Sequence, residues 1–519
     1  MAEADVAGAG GARRIAVIDL GSNSFRLVVF TYLAGAWWRR TDEIYEAVRI
    51  GAGLGKAGNL GAKRMARAVR TIDAFAHFCR ASGLAGKDIH AVATSAIRDA
   101  GNRDEFLDEV RATTGLAVRV LSQEEEARYG YLAAANSSTV RDGAVLDLGG
   151  GSMQLVSVRD RLAGTMGSWR LGTVRMTERF LPEPEATKKQ LKALRAHVRE
   201  ELAGAPWLGR SGDQLVAIGG TVRNLAAAAQ HAAGLPSFGV QGFVLEREAL
   251  AALVAELAAR PASDRGRVPG IKPERGDVIL AGAAVVEAVV EAGGFEAIEV
   301  TEAGLREGVF FECHLAGPDA AESAPLFPSV REAGVRNLAA QYDVDPPHVE
   351  HVSALALQMF DALARAGVHE GDPAERELLW AAATLHDIGM TVDYDDHHKH
   401  SRYLILSAGL PGFSPRETAL IAQTARYHRK GAPGFGELAP LMVDGDDGRL
   451  ARMSALLRLA EQLERSRDQS VREARVQAED GKVTLELVSE EDVSVARWAA
   501  ERQVDLFAQA FARKLVIAS

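Results

Sequence analysis

IAVIDLGSNSFRLVVF at residues 15–30 and AVLDLGGGSMQLVSV at residues 144–158 are two copies of one pattern. Laid together without gaps, Asp19 falls on Asp147, Leu20 on Leu148, Gly21 on Gly149, Ser24 on Ser152, Leu27 on Leu155 and Val28 on Val156. Each copy reads as an apolar strand ending in Asp, a tight Gly/Ser turn and a second apolar strand. A duplicated hairpin predicts two related lobes facing one cleft. A turn rich in Gly and Ser can aim several backbone N–H groups at one point, which is how chains hold phosphate. An Asp at a strand end suits a hydrated divalent cation, because Mg²⁺ keeps its waters and takes one or two carboxylates. The phosphate-holding candidates are therefore Gly21, Ser22, Asn23 and Ser24 in the first turn and Gly149, Gly150, Gly151 and Ser152 in the second. Asp19 and Asp147 are the metal candidates. Gly and Asn dominate ordinary hairpin turns as well. One copy alone would read as such a turn; two copies, each preceded by Asp, favour a site.

A chain of 519 residues exceeds what one core supports, so roughly two to four domains are expected. Its 47% hydrophobic and 25% charged content is that of a soluble globular protein. A net charge of −10 argues against a general nucleic-acid or membrane-surface binder, so a polyanionic ligand needs local basic patches. The 2 cysteines, Cys79 and Cys313, make no disulfide framework and fit a reducing compartment. No run approaches the roughly 20 apolar residues of a membrane span, and the start lacks a signal-peptide core. The expectation is a cytoplasmic protein with a flexible tail over residues 1–13.

A mixed α/β lobe is expected over residues 14–137. After the first hairpin come a strand-like stretch over 37–50, an amphipathic helix over 62–82, a strand over 89–94, a helix over 103–114 and a strand over 117–121. SQEEEARYGYLAAA then starts a helix, with Ser122 as N-cap and acids in its first turn. The Gly-rich loop over 51–61 lacks the ending of a P-loop and is given no nucleotide role. A second lobe over 138–316 carries the second hairpin, helices near 187–204 and 278–292, strands over 214–218 and 297–301, and the turn GGTVRN. Past a Pro-bearing linker, residues 317–470 read as helical. They hold His348, His351, His369, His386, His397, His398, His400 and His428, eight of the 13 histidines. Residues 471–519 read as a hairpin turning at Asp480–Gly481 and a closing helix over roughly 490–514.

On the residues alone, Glu124, Glu125 and Glu126 are accounted for by the helix dipole, although a carboxylate near the cleft could serve as a base toward water. Arg98 follows a strand end and has the planar fork that suits phosphate, but lone arginines there are usually solvated. Arg265, Arg267, Lys272 and Arg275 form a basic Pro/Gly-bearing loop that could hold a polyanion or simply be hydrated.

DLGSNSFRL, VLSQEEEARYGY, DLGGGSMQLV, IGGTVRNLA, VPGIKPERGDVILAG and EAGLREGVFFE stand in the order found in the exopolyphosphatase / guanosine pentaphosphate phosphohydrolase (Ppx/GppA) family. The chain resembles that family from Ile15 onward. The resemblance implies an α/β fold of two actin-like lobes, of the actin / sugar kinase / heat-shock ATPase (ribonuclease H-like) superfamily. It implies Glu126 as catalytic base, with Glu125 the fallback. It implies the two turns and Arg98 on phosphate, Asp19 and Asp147 on Mg²⁺ or another divalent cation such as Mn²⁺, and a homodimer. Arg275 is carried as a substrate residue. The implied reaction is attack of water on the terminal phosphoryl group of inorganic polyphosphate, with guanosine pentaphosphate (pppGpp) as the alternative substrate. Two other readings remain: a non-catalytic sensor of the same ligands, and a sugar-kinase-like phosphotransferase, for which no sign of adenosine binding is present. The family commonly has Glu where this chain has Gln154, which keeps an acceptor but loses the charge.

LLWAAATLHDIG places His386-Asp387 in an apolar helix and, with the upstream helix bearing His348, resembles an HD domain. That resemblance implies His348, His386 and Asp387 as metal ligands, with Glu461 in RLAEQLERS at the position of a final Asp. A second hydrolase, a degenerate structural fold and a basic face for the distal polyphosphate are its possible uses. His397, His398 and His400 together with RYHRK (residues 426–430) would raise the local positive potential.

Overall fold

The computed structural model describes residues 11–54, 58–315, 325–342, 344–479 and 481–518. Residues 1–10 of the expected tail, 317–324 of the linker, 55–57 of the Gly-rich loop and Asp480 of the expected turn lie outside them. The chain divides into two compact units, Met1–Val330 and Arg331–Ser519.

The first unit is built on two sheets with the same plan. β1 (Arg13–Leu20), β2 (Phe25–Leu33) and β3 (Trp37–Glu46) form an antiparallel meander. β4 (Ile89–Ala93) pairs parallel to β1, and β5 (Val118–Val120) parallel to β4, giving the order β3-β2-β1-β4-β5. In the second sheet β6 (Gly143–Leu148), β7 (Met153–Arg159) and β8 (Leu162–Trp169) repeat the meander. β9 (Gln214–Ile218) runs parallel to β6; β10 (Phe243–Glu246) and β11 (Ala297–Val300) complete the order β10-β11-β9-β6-β7-β8. The two hairpins match in register. Leu20 faces Phe25 and Leu148 faces Met153 across four-residue turns, so Asp19 lies opposite Arg26 and Asp147 opposite Gln154. β1 and β6 are near-continuous apolar runs because helices cover their sheets on both faces.

Helices Ala62–Ala81 and Arg103–Thr114 bury Met65, Ile72, Phe75, Phe106 and Val110 in the first sheet's core. Helix Ile279–Gly293, apolar on nearly every side, lies in the middle of the second core among Leu194, Val198, Leu253 and Leu257. Helix Leu305–Leu315 crosses back. It packs along helix Gln123–Ala135 and on β1, and Phe310 stacks on Phe30 with ring centroids 4.3 Å apart. Beside that stack His314 is buried against Tyr32 and Trp38, its Nδ1 without a hydrogen-bond partner, and burial pushes its pKa down from 6.5 to about 4. Below pH 6.5 the unfolded chain therefore takes up a proton that the folded chain refuses, and stability is lost as pH falls from 6.5 toward about 4. We expect His314→Phe to flatten the decline of Tm over that window, measured by thermal melts at stepped pH.

In the second unit, helices Val330–Ala339, Pro346–Arg365, Pro373–Leu385, His397–Ala408, Pro415–Tyr427 and Asp446–Leu463 enclose one core containing Val352, Leu379, Leu420 and Leu456. A three-stranded sheet of β12 (Glu473–Glu479), β13 (Lys482–Val488) and β14 (Lys514–Ala518) adds Ala474, Val483, Leu485 and Leu515 to it. The single closing helix expected over 490–514 is corrected. Two short helices, Ser494–Glu501 and Val504–Phe511, are followed by the left-handed Ala512 (φ 52°) and by β14 parallel to β13. KLVIA is apolar and β-branched and completes a sheet edge, a tertiary demand that outweighs the helical spacing read across it. Among the described residues no helix is long and apolar enough to cross a membrane.

Candidate active site

The two turns meet. A Cβ on Gly150 would stand 3.2 Å from Ser22 Cβ and 3.4 Å from the backbone nitrogen of Asn23. A Cβ on Gly151 would overlap the hydroxyls of Ser22 and Ser95, which lie 3.1 Å from each other. Glycine is needed there for close approach of one lobe to the other.

Asp19, Gly21, Ser22, Asn23, Ser24, Glu126, Asp147, Gly149, Gly150, Ser152 and Arg275 all line one solvent-open cleft. Of the residues expected in it, two stand behind the wall. Gly151 backs the second turn, and Arg98 is committed to Glu126. Arg26, Arg223 and Arg306 line the cleft and were not singled out from the sequence. Each was visible within a quoted motif, Arg26 as a lone cation in an apolar strand, Arg223 in GGTVRN and Arg306 in EAGLREG.

Glu126 sits in the first turn of helix Gln123–Ala135. Ser122 and Glu125 close a reciprocal capping box, which fixes the helix start and occupies the Glu125 carboxylate with the Ser122 N–H. Glu126, 5% exposed, is held from both sides. Arg98 Nη1 donates to its Oε2 at 2.7 Å, and Ser152 Oγ donates to its Oε1 at 3.1 Å. Behind Ser152, the buried Gln154 donates its Nε2 to Ser152 Oγ at 2.9 Å and to Ser168 Oγ at 3.2 Å. Gln154 thus turns the Ser152 proton toward Glu126. Burial raises the Glu126 pKa while Arg98 and Ser152 act against that rise.

Two fields oppose each other in the cleft. Burial raises Asp147 to about 7, with the charges of Glu126 and Asp19 adding to it; burial likewise raises Asp19, against the pull of Arg306 and Arg26. Arg306 Nη1 lies 3.5 Å from Asp19 Oδ2. On the other side, burial lowers Arg223 to about 10, with Arg306 and Arg26 contributing, and also lowers Arg275 and Arg26. Crowded arginines of this kind are relieved by a polyanion, and buried carboxylates by a cation. The acids Asp19, Asp147 and Glu126 offer only carboxylate oxygens, the donors that a divalent ion of the Mg²⁺ type takes.

His348, His386, Asp387 and Glu461 converge in the core of the second unit.

A family model for the Ppx/GppA phosphatase family matches residues 41–316, and one for Ppx/GppA phosphatase, domain III, matches residues 330–505. Among solved structures, the Aquifex aeolicus member of the Ppx/GppA family is 28% identical and covers 58% of this chain and 97% of its own, with a TM-score of 0.50. A structure of the Aquifex aeolicus PPX-GPPA enzyme gives 29% identity over 58% of this chain and 99% of its own, with a TM-score of 0.50. An exopolyphosphatase from Cytophaga hutchinsonii shares the fold at 22% identity, covering 58% of this chain and 98% of its own, with a TM-score of 0.54.

Proposed function

Since the chain belongs to the Ppx/GppA phosphatase family, we propose that it is an exopolyphosphatase, releasing orthophosphate from the ends of inorganic polyphosphate. The observation that carries this reading is Glu126 clamped between Arg98 and Ser152 at the wall of a cleft lined by two Gly/Ser turns and four arginines. The lining supports this reading: apart from Leu148 and Leu305 its described residues are polar, charged or glycine, which suits a run of phosphates.

In this mechanism the N–H groups of residues 21–24 and of Gly150 and Ser152, with the guanidinium groups of Arg26, Arg223, Arg275 and Arg306, hold the terminal phosphates. The substrate's reacting phosphorus is thereby presented to water beside Glu126. The Glu126 carboxylate accepts the proton of that water as its oxygen attacks in line with the departing phosphate oxygen. Arg98 fixes the Glu126 carboxylate and opposes the rise that burial imposes on its pKa. The arginines neutralise charge spreading onto the equatorial and leaving oxygens, with no reorganisation at the moment of reaction. Asp19 and Asp147 would hold the hydrated Mg²⁺ or Mn²⁺, which when bound supplies further neutralisation of the phosphate oxygens.

The deciding experiment compares kcat/KM for long-chain polyphosphate and for pppGpp with the full chain in Mg²⁺. The proposal expects polyphosphate to be preferred at least about tenfold, since a longer run of phosphates offers more charge to the four arginines. A preference for the nucleotide would make the protein a pppGpp 5′-phosphohydrolase. Binding of both with release from neither would make it a sensor.

Gln154 gives a separate test. In Gln154→Glu a carboxylate replaces the donor to Ser152, so the Ser152 proton turns away from Glu126. Glu126 then loses a hydrogen bond to its charged form, and its pKa rises further. Activity needs ionised Glu126 and is lost as pH falls through that pKa. The expected result is an acid limb of the kcat–pH profile displaced to higher pH, with the alkaline limb unchanged.

A further inference from the structure

The second unit gathers six side chains that the cleft chemistry does not use. His348 comes from helix Pro346–Arg365, and His386 and Asp387 from the end of helix Pro373–Leu385. His397 opens helix His397–Ala408, His428 caps helix Pro415–Tyr427, and Glu461 lies on helix Asp446–Leu463. Their donor atoms fall into two triads, His348/His386/Glu461 and Asp387/His397/His428, each with all its atoms within 4.8 Å of one another.

In the first triad His348 Nε2 is 3.1 Å and His386 Nε2 3.3 Å from Glu461 Oε2. In the second, His397 Nε2 is 3.3 Å from Asp387 Oδ1 and 3.0 Å from His428 Nε2. Donors that sit about 2.1 Å from a common ion stand roughly 3.0 to 3.4 Å apart, so these atoms already have the spacing of a coordination shell. Asp387 spans the two groups. Its Oδ1 is also 3.6 Å from His386 Nε2, and its Oδ2 is 3.8 Å from His348 Nε2. Arg467 Nη2 donates to that Oδ2 at 3.1 Å and fixes the carboxylate.

The proton inventory points the same way. His386, His397 and His428 each place Nδ1 2.6 Å from a backbone carbonyl three residues earlier, of Ala383, Tyr394 and Ala425. Nδ1 therefore carries a hydrogen, and it is Nε2 of each ring that faces the cluster and is left to coordinate. His397 and His428 aim those nitrogens at each other beside a carboxylate oxygen, in a buried place.

We propose that this cluster is a two-ion site for divalent first-row transition metals, with His348, His386 and Glu461 on one ion, His397 and His428 on the other, and Asp387 bridging them. Four imidazoles with two carboxylates select ions such as Mn²⁺, Fe²⁺, Co²⁺ or Zn²⁺ over Mg²⁺. Resemblance alone supplied four of these ligands. His397 and His428, read from the sequence as part of a basic face, are added by the geometry. The six ligands come from five helices, so the metals staple the unit together.

The test uses the full-length protein, stripped with chelator and dialysed against Co²⁺ in excess Mg²⁺, which keeps the all-oxygen cleft occupied. The expected result is about two Co²⁺ retained per chain, with d–d absorption of nitrogen/oxygen ligation, and a Tm raised by roughly 10 °C at about a thousandfold excess over Kd. His428→Gln is expected to lower the content by about one ion and to leave the other bound. Wild-type protein that retains one Co²⁺ or none overturns the two-ion site, and this needs no variant to fold. Two Co²⁺ that are indifferent to His428→Gln would place the ions elsewhere and overturn it equally.

Discussion

Glu126→Gln lowers kcat for phosphate release by about a thousandfold while leaving polyphosphate affinity within a factor of about three. The substitution keeps the shape of the side chain and an oxygen that still accepts from Ser152 or Arg98, but removes the charge that takes the proton from water. Arg98 keeps a second acceptor in the Leu121 carbonyl at 3.0 Å, so its guanidinium is not stranded. Binding is carried by the turns and by Arg26, Arg223, Arg275 and Arg306; none of these arginines hydrogen-bonds to Glu126, and of the turn residues only Ser152 does. Turnover from rapid-quench phosphate release and affinity from equilibrium binding separate the two roles. If affinity falls in step with turnover, Glu126 organises the cleft and is not the base.

Gly308→Ala is expected to cut kcat by about a hundredfold and to destabilise the first unit by about 2 kcal/mol, although Gly308 is not among the residues lining the cleft. Gly308 lies on helix Leu305–Leu315 where it crosses helix Gln123–Ala135, and a Cβ there would overlap the Tyr129 carbonyl oxygen. Backbone cannot rotate away as a flexible side chain can, so the helices must separate. One carries Arg306 two residues earlier, and the other carries Glu126 three residues before Tyr129. Separation therefore moves an arginine of the phosphate cradle relative to the base, which is the kind of small misplacement that costs catalysis steeply. Gly209→Ala, whose Cβ would meet only the Ala292 carbonyl at 3.7 Å, serves as the neutral control. Kinetics at saturating substrate and thermal melts of both variants check the pair.

The duplicated hairpin was the most legible part of the molecule, and for a physical reason. A strand covered on both faces must be apolar nearly throughout, so the Asp ending β1 and the Asp ending β6 stand out against it. The identical pairings Leu20–Phe25 and Leu148–Met153 follow from turns of equal length. Helix 103–114 and strand 214–218 match the structure to the residue because a left-handed Gly115 stops the first and a Gly-Gly turn ends the second.

What escaped the reading depends on contacts far apart in sequence. Arg223 and Arg306 are ordinary cations on helices until two lobes bring them beside Arg26. Arg98 resembles a free phosphate ligand until it meets Glu126, 28 residues on. Gln154 reads as a lost charge, yet in place it is the donor that orients Ser152. Helix Leu305–Leu315 follows the second sheet in sequence but packs on the first, because its Phe310 and Phe311 complete an aromatic cluster with Phe30, Tyr32 and Trp38. β14 is five residues long and needs β13 to be a strand at all.

The phosphorus that water attacks defines the reaction. Hydrolysis of long-chain polyphosphate by the full chain with Mg²⁺ in ¹⁸O-enriched water, stopped within the first turnover, tests this directly. Base-assisted attack on the terminal phosphorus predicts one solvent oxygen in each released orthophosphate and none in the shortened chain. Label at the new chain end with unlabelled orthophosphate, or no release at all, would contradict it.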